Sequence, residues 1–199
     1  MNYVLKPALT LFITAVLVVA GLSYVYNLTL DPIERQKRKT QEAAMKEVFP
    51  GASQYKEMQT EKTGSIVSVY EALSDKILKG YVVQLSPKGY SGNIDLIVGI
   101  SLSENKITGM RVMRHTETPG LGALAVKEDF YRRYNNLELA PLSVVRTNPG
   151  RNEIQAITSA TITTRAITGA VNEAIEWCLA NKPSIDEEDE ENENEQGGE

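Results

Sequence analysis

Between Pro7 and Leu30 the chain runs 24 residues without a charge, PALTLFITAVLVVAGLSYVYNLTL. As a helix rising about 1.5 Å per residue, this block is about 36 Å long, enough to cross a hydrocarbon core of roughly 30 Å with tilt. A helix apolar on every side needs a lipid or protein environment all round it, so residues 1–30 are read as a transmembrane anchor. The block exceeds the apolar region of about 7–15 residues found in cleaved signal peptides, and it lacks an A-x-A cleavage pattern. No cysteine lies nearby for lipidation. Tyr24 and Tyr26 suit the aromatic belt at the membrane interface.

The following stretch, DPIERQKRKTQEAAMKEVFP, predicts a helical stalk over 31–50, with Asp31 as its cap and Pro32 in its first turn. Ile33, Ala43, Ala44, Val48 and Phe49 supply scattered apolar contacts. Lys6 precedes the anchor, whereas Arg35, Lys37, Arg38 and Lys39 follow it. A positive-inside count alone would hold the rest of the chain in the cytoplasm. Asp31 and Glu34 partly neutralise that cluster.

At the other end, nine of the 26 acidic residues fall between Asp186 and Glu199, leaving 17 against 21 basic residues in the remainder. An acidic run of this kind has too little apolar surface to offset the entropy of ordering. Residues 183–199 are therefore expected to be a disordered, solvating tail. Cys178 is the only cysteine, which excludes an internal disulfide; its neighbours Ile175 and Leu179 mark it as a buried small residue. His115 is the only histidine, so a His-based zinc site is excluded, and no Cys/His cluster exists for iron–sulfur or haem.

Residues 51–182 are left as one domain. SIVSVYEAL (65–73), KGYVVQLS (79–86), IDLIVGISLS (94–103) and ITGMRVMRH (107–115) read as an antiparallel meander with intervening turns. A short helix is expected over 127–136 and a longer one from about Thr163 to Ala180. In the latter, Ala166, Ile167, Ala170, Val171, Ala174, Ile175, Cys178 and Leu179 make a broad apolar face that covers a sheet. The fold class is α+β.

Two constellations carry chemistry. In RHTETPGLGAL (114–124), Pro119 fixes a backbone angle while Gly120 and Gly122 allow conformations and approaches closed to other residues. Such a loop either lies flat against a ligand or is simply a tight connection. In IQAITSATITTRAITGAVNEA (154–174), hydroxyls crowd the start of the long helix, where free N–H groups and the helix dipole suit a phosphate. Redundant capping explains such clusters equally well. No Walker-type phosphate loop is present, because NPGRNE lacks its lysine and spacing.

AITSATITTRAI resembles the flavin-attachment motif of the FMN-binding domain family, an Asp-x-x-Ser/Thr-Gly-Ala-Thr run that carries FMN on its last threonine through a phosphoester. HTETPGLG resembles the loop that packs against the flavin ring in the same family. With one amino-terminal span and the motifs in this order, roughly residues 1–180 resemble the G subunits of Rnf complexes, membrane ferredoxin:NAD oxidoreductases that pump Na⁺ or H⁺.

That resemblance implies covalent FMN on Thr161, in a setting of Thr158, Ser159, Ala160 and Thr163, with Thr118, Gly120 and Leu121 contacting the isoalloxazine. GYSG (89–92) resembles a glycine-containing family stretch near the same pocket, although a hairpin turn is the stronger reading of it. His115, Glu117 and Lys127 lie near the loop, and none is assigned a catalytic role. Two positions depart from the family pattern: Ser159 stands where Gly is usual, and Gln155 where Asp is frequent.

The resemblance further implies an electron-carrying subunit rather than a complete enzyme, and loading by a flavin transferase. It implies partners among the other membrane and redox subunits, and a single pass through the cytoplasmic membrane with the flavin domain on its outer face. No nucleic-acid partner is expected. Two alternatives stay open: a flavin carrier of another redox system, such as the C subunit of a Na⁺-pumping NADH:quinone reductase or a stand-alone extracellular flavoprotein, and a non-redox tethered binding module.

Overall fold

The computed structural model describes residues 2–60 and 63–182. The acidic run from 183 onward lies outside them. The first element, α1 (Asn2–Val48), contains the apolar segment Lys6–Tyr26, with mean hydropathy 2.3 and no buried surface of its own. By length and composition it meets the requirement for a membrane span.

The expected helix start at Asp31 is not a boundary, because Pro32 lies inside α1. Proline forgoes one backbone donor there. One turn earlier, the Thr29 hydroxyl donates to the carbonyls of Val25 and Tyr26, both at 3.0 Å. The good helix formers of QKRKTQEAAMKEV then carry α1 to Val48. Residues up to Ala43 form one compact unit and those from Ala44 onward another.

The second unit is built on a meander of β1 (Gln54–Met58), β2 (Ile66–Ser74), β3 (Ile77–Leu85), β4 (Ile94–Ser101) and β5 (Lys106–His115), all antiparallel and in sequential order. Four strands fall where the Val/Ile/Tyr patterning puts them. β1 was not anticipated, since QYKEM is largely polar and none of its residues is fully buried. The β2–β3 hairpin turns on Asp75 and Lys76, both at positive φ, as a two-residue turn matched to strand twist requires.

Alternation divides the strands between two cores. Tyr81, Val83 and Leu85 of β3 and Ile94, Leu96, Val98 and Ile100 of β4 face one core, where α3 (Thr161–Ala180) lays down Ile167, Ala170, Val171, Ala174, Ile175 and Cys178. Val82 and Ile97 face the other, with Ala72, against Ala44, Met45, Val48 and Phe49. This is why β4 is buried along nearly its whole length. Each large aliphatic side chain fully buried there contributes about 1.5–3 kcal/mol.

Between β5 and α3 the chain makes a 3-10 turn (Gly122–Val126), the one-turn helix α2 (Glu128–Tyr131), another 3-10 turn (Arg132–Tyr134), and a parallel pair, β6 (Ser143–Val145) with β7 (Glu153–Gln155). The helix expected over 127–136 is thus broken after one turn. Three polar clamps fix α3 lengthwise. Glu173 accepts the N–H and hydroxyl of Ser65 at 2.6 and 2.7 Å; Asn172 bonds both backbone groups of Leu142 at 2.9 Å; Tyr81 donates to the Asn181 carbonyl at 3.1 Å.

Candidate functional site

Three segments far apart in sequence meet at the N-terminal end of α3. The first is the turn Gly89–Gly92, closed by the Gly89 N–H on the Gly92 carbonyl at 2.8 Å. The second is Thr118–Leu121, where the Leu121 N–H returns to the Thr118 carbonyl at 3.1 Å. With Pro119 second and Gly120 third at φ +78°, it has the residues a type II turn demands. The third is Ile157–Ala160, closed by the Ala160 N–H on the Ile157 carbonyl at 2.9 Å. Its third residue, Ser159, sits at φ +64°. A glycine there would be unstrained, which gives a physical reason for the usual residue of the motif.

Between these turns lies a cavity of about 410 Å³. Its polar end is made by Ser159, Ala160, Thr161 and Thr163, and its other walls by Tyr90, Leu121, Ile162, Thr118, Gly122 and Glu117. Ala160 is the N-cap of α3 and has no side chain to cap with, and no acid lies in the first turn. The dipole's positive end and the opening N–H groups therefore face the cavity with no acid of α3 itself on the cap. Tyr90, Leu121 and Ile162 are 71%, 40% and 56% exposed, so apolar surface adjoins the hydroxyls.

The crowded hydroxyls divide by partner. Thr164 is buried, donating to the Ala160 carbonyl and accepting from the Ile157 N–H, both at 3.1 Å. Thr168 is buried against the Tyr134 hydroxyl at 2.8 Å. Thr163, 1% exposed, donates to Glu117 at 2.7 Å. Thr161 is partly exposed on the cavity wall, and Ser159 is exposed beside it. Thr158 and Gly120 are exposed and do not line the cavity, whereas Thr118, Leu121, Ser159, Ala160, Thr161 and Thr163 do. Gln155 belongs to β7, with its side chain toward the Arg146 carbonyl at 3.4 Å.

Sequence reasoning assigned no role to Glu117. It is 5% exposed and accepts the N–H groups of Tyr90 and Ser91 at 2.8 and 3.0 Å as well as the Thr163 hydroxyl. A buried acid is unusual unless its oxygens are satisfied. The available signal was an acid flanked by Thr116 and Thr118 just before Pro-Gly, which reads equally as a solvated loop charge. His115 accepts the Glu117 N–H through Nδ1 at 3.2 Å, and Lys127 caps α2 outside the cavity. Among the described residues no cluster of three or more His, Cys, Asp or Glu could hold a metal.

A half-apolar cavity of this size that ends on an open helix start has the form of a cofactor site, and in sequence it follows an amino-terminal apolar helix. Residues 89–176 match the FMN-binding domain family, and residues 1–48 match the RnfG N-terminal region. The G subunit of the ion-translocating oxidoreductase complex of Methanosarcina acetivorans is 31% identical over 180 residues, spanning 88% of this chain and 94% of that protein. The G subunit of the Na(+)-translocating ferredoxin:NAD(+) oxidoreductase complex of Acetobacterium woodii is 33% identical over 188 residues, 87% and 90% of the two chains. The proton-translocating counterpart of Clostridium ljungdahlii is 32% identical over 169 residues, 84% and 85%. The chain belongs to the G-subunit family of Rnf-type ion-translocating oxidoreductase complexes.

Proposed function

We propose that this chain is the membrane-anchored electron carrier of an Rnf-type complex and holds FMN covalently on Thr161. The carrying observation is Thr161 itself: a partly exposed hydroxyl on the cavity wall, at the first position of a helix whose cap residue has no capping side chain. The residues suit FMN. The Ser159 hydroxyl and the opening N–H groups of α3 offer donors to a phosphate, and Leu121, Tyr90 and Ile162 offer apolar contact to a ring system. A Cβ at Gly122 would collide with the Glu117 carboxylate and the Thr163 hydroxyl, so glycine lets the wall close on both.

In maturation the Thr161 hydroxyl would be the acceptor: its oxygen would take the FMN phosphoryl group from FAD, AMP would leave with the electron pair of the broken P–O bond, and the hydroxyl proton would pass to a base of the flavin transferase. Once bound, FMN supplies one- and two-electron redox chemistry, and the protein's part is to hold and tune it. Thr161 fixes occupancy permanently. Thr118 and Leu121 hold one wall at the turn that Gly120 makes possible, while Thr158 shapes the turn before α3.

The other membrane and redox subunits of the complex would be its donors and acceptors. The domain is assigned to the outer face of the cytoplasmic membrane, as the family resemblance implies and against the basic residues after the span. A carboxyl-terminal reporter active only in the cytoplasm would overturn that assignment. Denatured protein from cells containing the transferase should give a fluorescent flavin band that Thr161→Ala abolishes; a dark parent band would sink the covalent reading.

A further inference from the structure

Glu117 gathers donors from the 89–92 turn and from the first turn of α3, while directly preceding the 118–121 turn. Oε1 accepts from Tyr90 and Ser91, the central residues of the 89–92 turn, and Oε2 accepts from Thr163 on the first turn of α3. The two N–H groups are donors only, so that oxygen must accept. The neighbouring glycines are shaped around the same carboxylate. A Cβ at Gly89 would overlap Oε1, and one at Gly122 would overlap Oε2 and reach 2.7 Å from the Thr163 hydroxyl. Among the described residues, no lysine or arginine forms an ion pair with Glu117.

We propose that Glu117 is the positioning residue of the flavin site: it locks the 89–92 turn, the 118–121 turn and the start of α3 into one register, and its charge lowers the reduction potential of flavin held there. This rests on the reading of the cavity as the FMN site. A buried charge is poorly screened by salt. Reduction adds negative charge to the ring system, and a fixed carboxylate on the cavity wall opposes it. The positive end of α3 stabilises Glu117 through Thr163, so the carboxylate also draws on the field that the phosphate would otherwise have to itself.

Glu117→Gln separates the two effects. The amide keeps an acceptor for Tyr90 and Ser91, and its NH₂ meets a Thr163 hydroxyl turned to accept. Glu117→Ala removes charge and staple together. The experiment uses the full chain, co-expressed with a flavin transferase and compared with both variants. It reads flavin per chain by in-gel fluorescence, the midpoint potential of bound flavin by dye-calibrated titration, and amide exchange at Tyr90 and Ser91, which needs no flavin.

In E117Q, loading and slow exchange should persist while the potential moves to more positive values. In E117A, loading should fall and both amides should exchange roughly tenfold faster or more, the scale of losing a hydrogen bond to a charged group. A loaded E117Q with the parent's potential overturns the electrostatic role. Parent-like exchange in E117A overturns the positioning role, and E117Q with slow amides but no flavin would make Glu117 a participant in attachment instead. A flavin-free parent would overturn the reading of the cavity, and the inference with it.

Discussion

Ser159 and Gly120 hold the same place in two turns of the site: each is the third of four residues closed by an N–H to carbonyl bond, and each has positive φ, +64° and +78°. At Gly120 this costs little, whereas an L-residue in the left-handed region gives up about 1–2 kcal/mol. Glycine at 159 would lose more chain entropy on folding, which offsets about 0.4–1 kcal/mol of that. Ser159→Gly should therefore stabilise the domain by up to about 1.5 kcal/mol and raise the melting temperature by a few degrees. Trp177, edge-on to Tyr81 at 5.3 Å, provides the fluorescence signal. A lowered melting temperature would mean that the Ser159 hydroxyl makes a bond worth more than the strain.

The end of α1 lands on the second sheet face through a socket of glycines. A Cβ at Gly99 would overlap the Val48 carbonyl and the Thr108 hydroxyl, which bond each other, and one at Gly109 would stand 3.1 Å from Val48 Cα. Gly99 and Gly109 are direct partners across β4 and β5. Gly99→Ala should destabilise the domain by about 1–3 kcal/mol, the usual range for overpacking, seen as a lower urea midpoint. An unchanged midpoint would show that Val48 does not hold this position.

Burial pushes the Cys178 thiol up from 9.0 to about 12, and burial likewise raises the Tyr134 hydroxyl. The folded chain keeps these protons more tightly than the unfolded chain. Stability is then fully present below about pH 9 and falls as pH rises toward the folded value, by up to about 1.4 kcal/mol per pH unit for each group. Melting temperatures measured from pH 7 to 11 should drop above pH 9, less steeply in Cys178→Ala. The native thiol should resist alkylation at pH 8 until denaturant is added; rapid labelling would place Cys178 at the surface.

The meander and α3 were legible because their apolar residues repeat at periods of two and of three to four, signals set by the elements themselves. β1 and the β6–β7 pair were not, since QYKEM, SVV and EIQ are too short or too polar to show a period, and pairing with neighbours makes them strands. The hydroxyl cluster pointed to the start of α3, where the cavity lies, but not to how its members divide. Thr163, Thr164 and Thr168 took their partners from Glu117, Ile157 and Tyr134, and only tertiary packing brings Glu117 and Tyr134 to the helix. Glu117 was missed for the same reason: its donors lie 26 to 46 positions away in the chain.

Covalent attachment at Thr161 is tested most directly by mass spectrometry of one peptide. Cleavage after Arg151 and Arg165 releases residues 152–165, which contain Thr158, Ser159, Thr161, Thr163 and Thr164. From cells with an active flavin transferase, this peptide should carry the mass of FMN less one water, with fragmentation locating it on Thr161, and Thr161→Val should return it to the unmodified mass. An unmodified peptide from such cells, or an adduct on Ser159 or Thr163, would contradict the account.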